Sequence, residues 1–183
     1  MAAVRQSILP DVAACAAQMR PADQAEVGAL GYTPLGALAE GFEISDPCLT
    51  IVAADGEPIG MFGAVPWPDR QVANVWLLAT EKLVTVTKRQ FIRECRAWVD
   101  GLNAKYPLLT NLVDARNTVH LRWLRWCGFE FGSPLPINGH QFIPFARQHH
   151  VRTSRDPSCD PGCHGGGGRR PVHGPAPGGA GPG

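Results

Sequence analysis

The spacing of apolar positions changes several times along the chain, and each change marks an element. Val4 to Leu9 reads as an opening strand. Pro10 and Asp11 then start a helix with Val12, Cys15, Ala16 and Met19 at helical spacing. Pro21 opens a second helix that runs to Leu30 and stops at Gly31. Thr33-Pro34 gives the same start signal again, with Leu35, Leu38 and Phe42 on one face. Cys48 to Ala54 and Ile59 to Val65 are strand-like runs around Asp55-Gly56, a pair that tolerates positive φ and favours a hairpin. Val72 to Thr80 is nearly all apolar, as a strand covered on both faces must be. Thr87 and Gln90 form a capping-box pattern before a helix whose buried stripe is Phe91, Cys95, Trp98, Val99 and Leu102. Its other face carries Lys88, Arg89, Arg93, Arg96 and Asp100. Leu108 to Ala115 predicts a strand, and Asn117 caps a helix over Thr118 to Cys127 that Gly128 stops. The runs Phe129 to Phe131 and Gln141 to Phe145 close the body as strands.

This order is strand, helices, a three-strand meander, helix, strand, helix and two strands. A meander followed by a β-α-β step predicts an α/β (α+β) fold, with a mixed, mostly antiparallel twisted sheet flanked by helices on both faces.

Composition adds a boundary. Of the 21 Gly and 17 Pro among 183 residues, 10 Gly and 6 Pro fall within residues 149–183. Residues 1–148 are therefore read as one globular domain and 149–183 as a disordered Gly/Pro-rich tail. The tail holds Cys159, Cys163 and His164 near His149, His150 and His173, but a run of four glycines opposes an ordered zinc site, so no metal is assigned. Cys15, Cys48, Cys95 and Cys127 lie more than thirty residues apart and read as buried thiols of a reducing compartment. No apolar run reaches the roughly 18 residues that cross a bilayer, so a soluble protein without a membrane span is expected.

The 17 Lys and Arg nearly balance the 16 Asp and Glu, which argues against a general nucleic-acid coat. The balance conceals an asymmetry. Residues 1–81 hold 3 basic and 10 acidic side chains, whereas residues 82–125 hold 9 basic and 3 acidic. Such a division either makes a basic face suited to a polyphosphate or an acidic partner, or is neutralised between the halves in the fold.

Two segments carry a family likeness. VRQSILPDVAACAAQM, and Asn117 followed at fixed spacing by Gly128-Phe129, resemble the GNAT superfamily of N-acetyltransferases, whose last helix is commonly capped by Asn, stopped by Gly and followed by a core Phe. Within it, YPLLTNLVDARNTVHLRWLRWCGFEF and GHQFIPFA look most like an acetyltransferase-like family of short-tailed bacteriophages, similar to a small internal virion protein implicated in particle morphogenesis. The resemblance implies a GNAT-like fold, acetyl-CoA as cofactor if the protein is active, phage virion or host proteins as partners, and a place in the virion or host cytoplasm.

The enzyme pattern is incomplete. The glycine-rich turn that cradles the acetyl-CoA pyrophosphate in GNAT enzymes corresponds here to Thr80–Arg89, which contains no glycine. Lys82, Thr87, Lys88, Arg89 and Asn117 remain as candidate cofactor contacts. The position of the tyrosine that protonates the departing thiolate is Leu124, which has no proton to give, so water or Cys127 would have to substitute. Glu81, at the end of the apolar strand, and His120, inside the first turn after the cap, are the candidate general bases. His120 and Cys127 lie about 10.5 Å apart along one helix, too far for a nucleophilic dyad. Three readings follow: a virion or assembly protein with a degenerate acetyl-CoA site, an N-acetyltransferase with an atypical phosphate site, or a protein-interaction module acting through its basic helix.

Overall fold

A computed structural model describes residues 2–85 and 88–149. Along the chain it has β1 (Ala3–Gln6), α1 (Leu9–Ala17), α2 (Pro21–Ala29), α3 (Pro34–Ile44), β2 (Cys48–Val52), β3 (Pro58–Pro66), β4 (Val72–Ala79), α4 (Glu81–Thr85), α5 (Lys88–Lys105), β5 (Leu108–Asp114), α6 (Thr118–Trp126), β6 (Glu130–Phe131), β7 (Leu135–Ile137) and β8 (His140–Gln148). The expected cap Thr87 and the Gly/Pro-rich segment from residue 150 onward lie outside the described residues.

The strands form one sheet in the order β1-β2-β3-β4-β5-β8-β6, with β7 pairing β8. Every pairing is antiparallel except β4 with β5, which α4 and α5 connect. The mixed, mostly antiparallel sheet with helices on both faces is as expected. Alternation along β4 divides the core: Trp76 and Leu78 join Val12, Cys15, Val27, Leu38 and Met61 under α1–α3, while Val75 joins Cys95, Val99, Leu102 and Leu124 under α5 and α6.

Local signals account for most boundaries. Thr33 Oγ1 accepts the Gly36 N–H at 3.0 Å, and Asn117 Oδ1 accepts the His120 N–H at 3.3 Å. Gly31 (φ 90°) and Gly128 (φ 85°) end α2 and α6 in the left-handed region. The opening strand is shorter than Val4–Leu9. Ile8 is already the N-cap of α1, its N–H held by Asp11 Oδ2 at 3.0 Å, so the chain leaves the sheet at Ser7. Two elements escaped the sequence reading. One is α4, a single helical turn and a half that seats Leu83 in the core. The other is the β7–β8 hairpin, whose Asn138-Gly139 turn has φ of 48° and 78°.

Close approaches fix how α3 returns to the sheet. A Cβ on Gly63 of β3 would stand 2.8 Å from the Pro47 carbonyl and 3.0 Å from Ser45 Oγ. The carbonyl is backbone and cannot swing away. Gly63→Ala is therefore expected to destabilise the fold by about 1–3 kcal/mol, measured as a lower urea midpoint at unchanged slope.

Candidate functional site

β4 and β5 share hydrogen bonds only at their beginnings, from Val72 opposite Leu108 to Asn74 opposite Thr110. At the fork, Asn111 Nδ2 donates to the Val75 carbonyl at 2.9 Å while its Oδ1 accepts the Leu112 N–H at 2.8 Å. A side-chain amide thus stands where the next rung of the ladder would be, and beyond it the strands part. A cavity of about 370 Å³ opens between them. Phe91, Cys95, Trp98 and Trp123 of α5 and α6 form one wall, and Glu26, Val27, Tyr32 and Glu40 of α2, α3 and their connection form the other. Ligands of open sheets lie where neighbouring parallel strands separate beyond their carboxyl ends.

The far end of β4 is held by something other than a strand. The Arg20 N–H donates to the Ala79 carbonyl at 2.8 Å, and the Ala79 N–H donates to Asp23 Oδ2 at 3.0 Å. The start of α2 therefore supplies the acceptor and donor that β5 has withdrawn. Asp23 is itself buried and paired with the Arg20 guanidinium. The network continues to Asn117, whose Nδ2 donates to Glu26 Oε2 at 2.8 Å and to Asp23 Oδ1 at 3.4 Å.

Two titratable groups in this region are displaced in opposite directions. Burial, reinforced by Asp23 and Asp114, pushes the Glu26 carboxyl up to about 7 against the opposing Asn117 hydrogen bond. Burial pushes His120 down to about 4, so its imidazole is neutral at physiological pH. His120 Nδ1 is shut off from solvent without a hydrogen-bond partner, while one turn on the Trp123 indole N–H lies beside the Cys95 sulfur. Both residues line the cleft.

The candidate residues named from the sequence are dispersed by the fold. His120 lines the cleft. Asn117 caps α6 and anchors Glu26, so both ends of its amide are engaged inside the protein. Glu81 opens α4 and is exposed, outside the cleft lining. Lys82 turns to the β2–β3 hairpin, where Glu57 pairs with its ammonium and Asp55 lies at 3.8 Å. Lys88 and Arg89 fall in the first turn of α5, and Thr87 lies outside the described residues. Leu124 is fully buried in the core beneath α6. Cys127 is buried with its thiol pushed up by Cys95 and by burial, which makes it a poor replacement acid. Glu26 was missed because nothing in its local sequence marks it. Its environment comes from Asn117, ninety-one positions away.

No curated protein matches the sequence. Residues 64–134 match the family model described as "Bacteriophage T7, probable scaffold protein Gp13", a stretch that runs from the second half of β3 past β6 and includes both strands of the cleft. The fold is that of GNAT acetyltransferases. An acetyltransferase (GNAT family) from Bacillus anthracis superposes with a TM-score of 0.60 at 10% identity, covering 80% of this chain and 94% of that one. Spermidine N-acetyltransferase from Vibrio cholerae, in complex with CoA and spermine, gives 0.59 at 12% identity over 80% and 95%. A phosphinothricin acetyltransferase from Sinorhizobium meliloti, in complex with AcCoA, gives 0.57 at 13% over 80% and 88%.

The raised Glu26 carboxyl makes stability depend on pH. Unfolded, the group titrates near 4.5 and folded near 7, so the unfolded chain releases its proton first. Stability then falls as pH rises from 4.5 to 7, by up to roughly 3 kcal/mol. His120 acts in the opposite sense, losing stability only as pH falls from 6.5 towards 4. Glu26→Gln keeps an acceptor for Asn117 and removes the ionisation. In denaturant titrations the variant is expected to match the wild type at pH 4.5 and to exceed its stability at pH 8.

Proposed function

We propose that this protein is a phage virion or virion-assembly component that uses the GNAT fold as a scaffold and retains its central cleft as a degenerate acetyl-CoA site. The observation that carries this reading is the match of residues 64–134 to a phage scaffold-protein family over both strands of the cleft and the wall formed by α5 and α6. The chemistry of the site agrees with it. Acetyl-CoA needs an anion cradle for its pyrophosphate, yet Thr80–Arg89 has no glycine, and α4, anchored by Leu83, occupies the start of that connection. Leu124 offers no proton to a departing thiolate. The residues present do not fit the whole cofactor.

A second reading, acetyl-CoA-dependent N-acetyl transfer, is favoured by one observation: the cleft between β4 and β5 is open, in a fold whose relatives include enzymes in complex with CoA and AcCoA. In that case phosphate contacts fall to Lys88 and Arg89 at the start of α5. The third reading, recognition through the basic helix, loses one of its residues. Arg96 donates to the Trp126 carbonyl at 2.8 Å and lies 4.1 Å from the centroid of the Trp126 ring, so it braces α5 against α6.

Mass spectrometry of purified particles and of assembly intermediates is expected to find the chain in at least one of them. Its absence from both overturns the assembly reading. Calorimetry with acetyl-CoA is expected to show no binding at millimolar ligand, whereas saturation in the micromolar range transfers the conclusion to the enzyme.

A further inference from the structure

Cys95 lies in the middle of α5 and Cys127 immediately after α6, and the two helices bring their sulfurs to 3.7 Å. Both side chains are buried, and Cys95 is one of the residues that line the cleft, so a small solute entering between β4 and β5 comes up against that residue. The Cys95 S–H lies 3.4 Å from the Ile92 carbonyl, its acceptor, which leaves the sulfur to accept the Cys127 S–H. That contact, together with the Trp123 indole N–H beside the sulfur, lowers the Cys95 thiol, and it raises Cys127, which places the thiolate character of the pair on Cys95. The other two described cysteines differ. Burial pushes the Cys15 thiol up to about 12, and the Cys48 S–H donates to Ser7 Oγ at 3.4 Å.

We propose that Cys95 and Cys127 form a dithiol site that a low-molecular-weight disulfide, entering through the cleft, converts into an intramolecular disulfide joining α5 to the end of α6. The Cys95 thiolate attacks one sulfur of the reagent. Its S–S bond breaks, one thiolate leaves, and a mixed disulfide remains on Cys95. Cys127 then gives up its proton and attacks Cys95 Sγ. The mixed S–S bond breaks and the second thiolate departs with that proton. In sum the two protein thiols lose two electrons and two protons, and the reagent disulfide is reduced to two thiols. The sulfurs close from 3.7 Å to the roughly 2.05 Å of a disulfide. The bond staples together the two helices that make one wall of the cleft, and an occupant of the cleft shields the site. The inference goes beyond the assembly reading and holds whichever function the cleft serves.

The test uses the full chain carrying Cys159→Ser and Cys163→Ser, treated with hydroxyethyl disulfide under native conditions, then unfolded, alkylated and digested without reduction. The expected product is a linked Cys95–Cys127 peptide in a chain lighter by two hydrogens. With Cys127→Ser the reaction is expected to stop at a mixed disulfide on Cys95, and with Cys95→Ser to leave Cys127 alkylatable. Should either single variant fail to fold, the linked peptide in the parent chain decides. A parent chain of native circular dichroism overturns the proposal if Cys95 stays fully alkylatable, or if it accumulates the mixed disulfide without the linked peptide.

Discussion

Parallel pairing that stops after three rungs is the constraint from which the rest of this molecule follows. A strand end in the middle of a sheet cannot be left with bare backbone polar groups, because each buried and unpaired group costs about 1–3 kcal/mol. Here the separation of β4 and β5 is compensated at both ends, by Asn111 at the fork and by Arg20 and Asp23 at Ala79. The α1–α2 connection is therefore part of the sheet in a hydrogen-bonding sense, although it is no strand. The open middle between these two closures is the cleft.

The polar groups that hold the cleft open also set its chemistry. Asp23 is occupied by Arg20, Ala79 and Asn117, and Asn117 is occupied by Glu26 and His120, so the network has little capacity left for an outside ligand. The titratable groups beside it in the cleft lining are a carboxyl near 7 and a neutral imidazole. This is a largely apolar cavity whose lining also includes Glu40 and Glu94, unlike the strongly electropositive cradle that a pyrophosphate calls for. Of the cationic residues the sequence offered in its place, Lys82 is engaged by Glu57, and Lys88 and Arg89 belong to the first turn of α5.

The wall formed by α5 and α6 is held by contacts of several kinds. Phe91 stacks on Trp123 with centroids 5.7 Å apart, Arg96 lies over Trp126, and the Cys95 and Cys127 sulfurs meet between them. Leu124 belongs to the same packing, because its side chain is fully buried in the core cluster these helices share.

The sequence by itself determined what depends on neighbours along the chain. Thr33, Gly31, Asn117 and Gly128 act within one helical turn, so their roles as caps and stops were legible, as were the Asp55-Gly56 turn and the apolar run of β4. The likeness of Asn117 and Gly128-Phe129 to a known pattern carried the fold for the same reason. Tertiary structure alone decided the site. Glu26 is an unremarkable residue of α2 until Asn117 and Asp114 arrive from the other half of the chain, and Cys95 and Cys127 are isolated thiols until α5 packs on α6. Likewise Lys82, which follows the apolar strand in sequence, pairs with Glu57 of the β2–β3 hairpin, and Glu81 is not among the residues that line the cleft. Hydrogen bonding within a turn is a property of a few adjacent residues. Desolvation and contact are properties of whatever the folded chain brings near, and no local pattern encodes them.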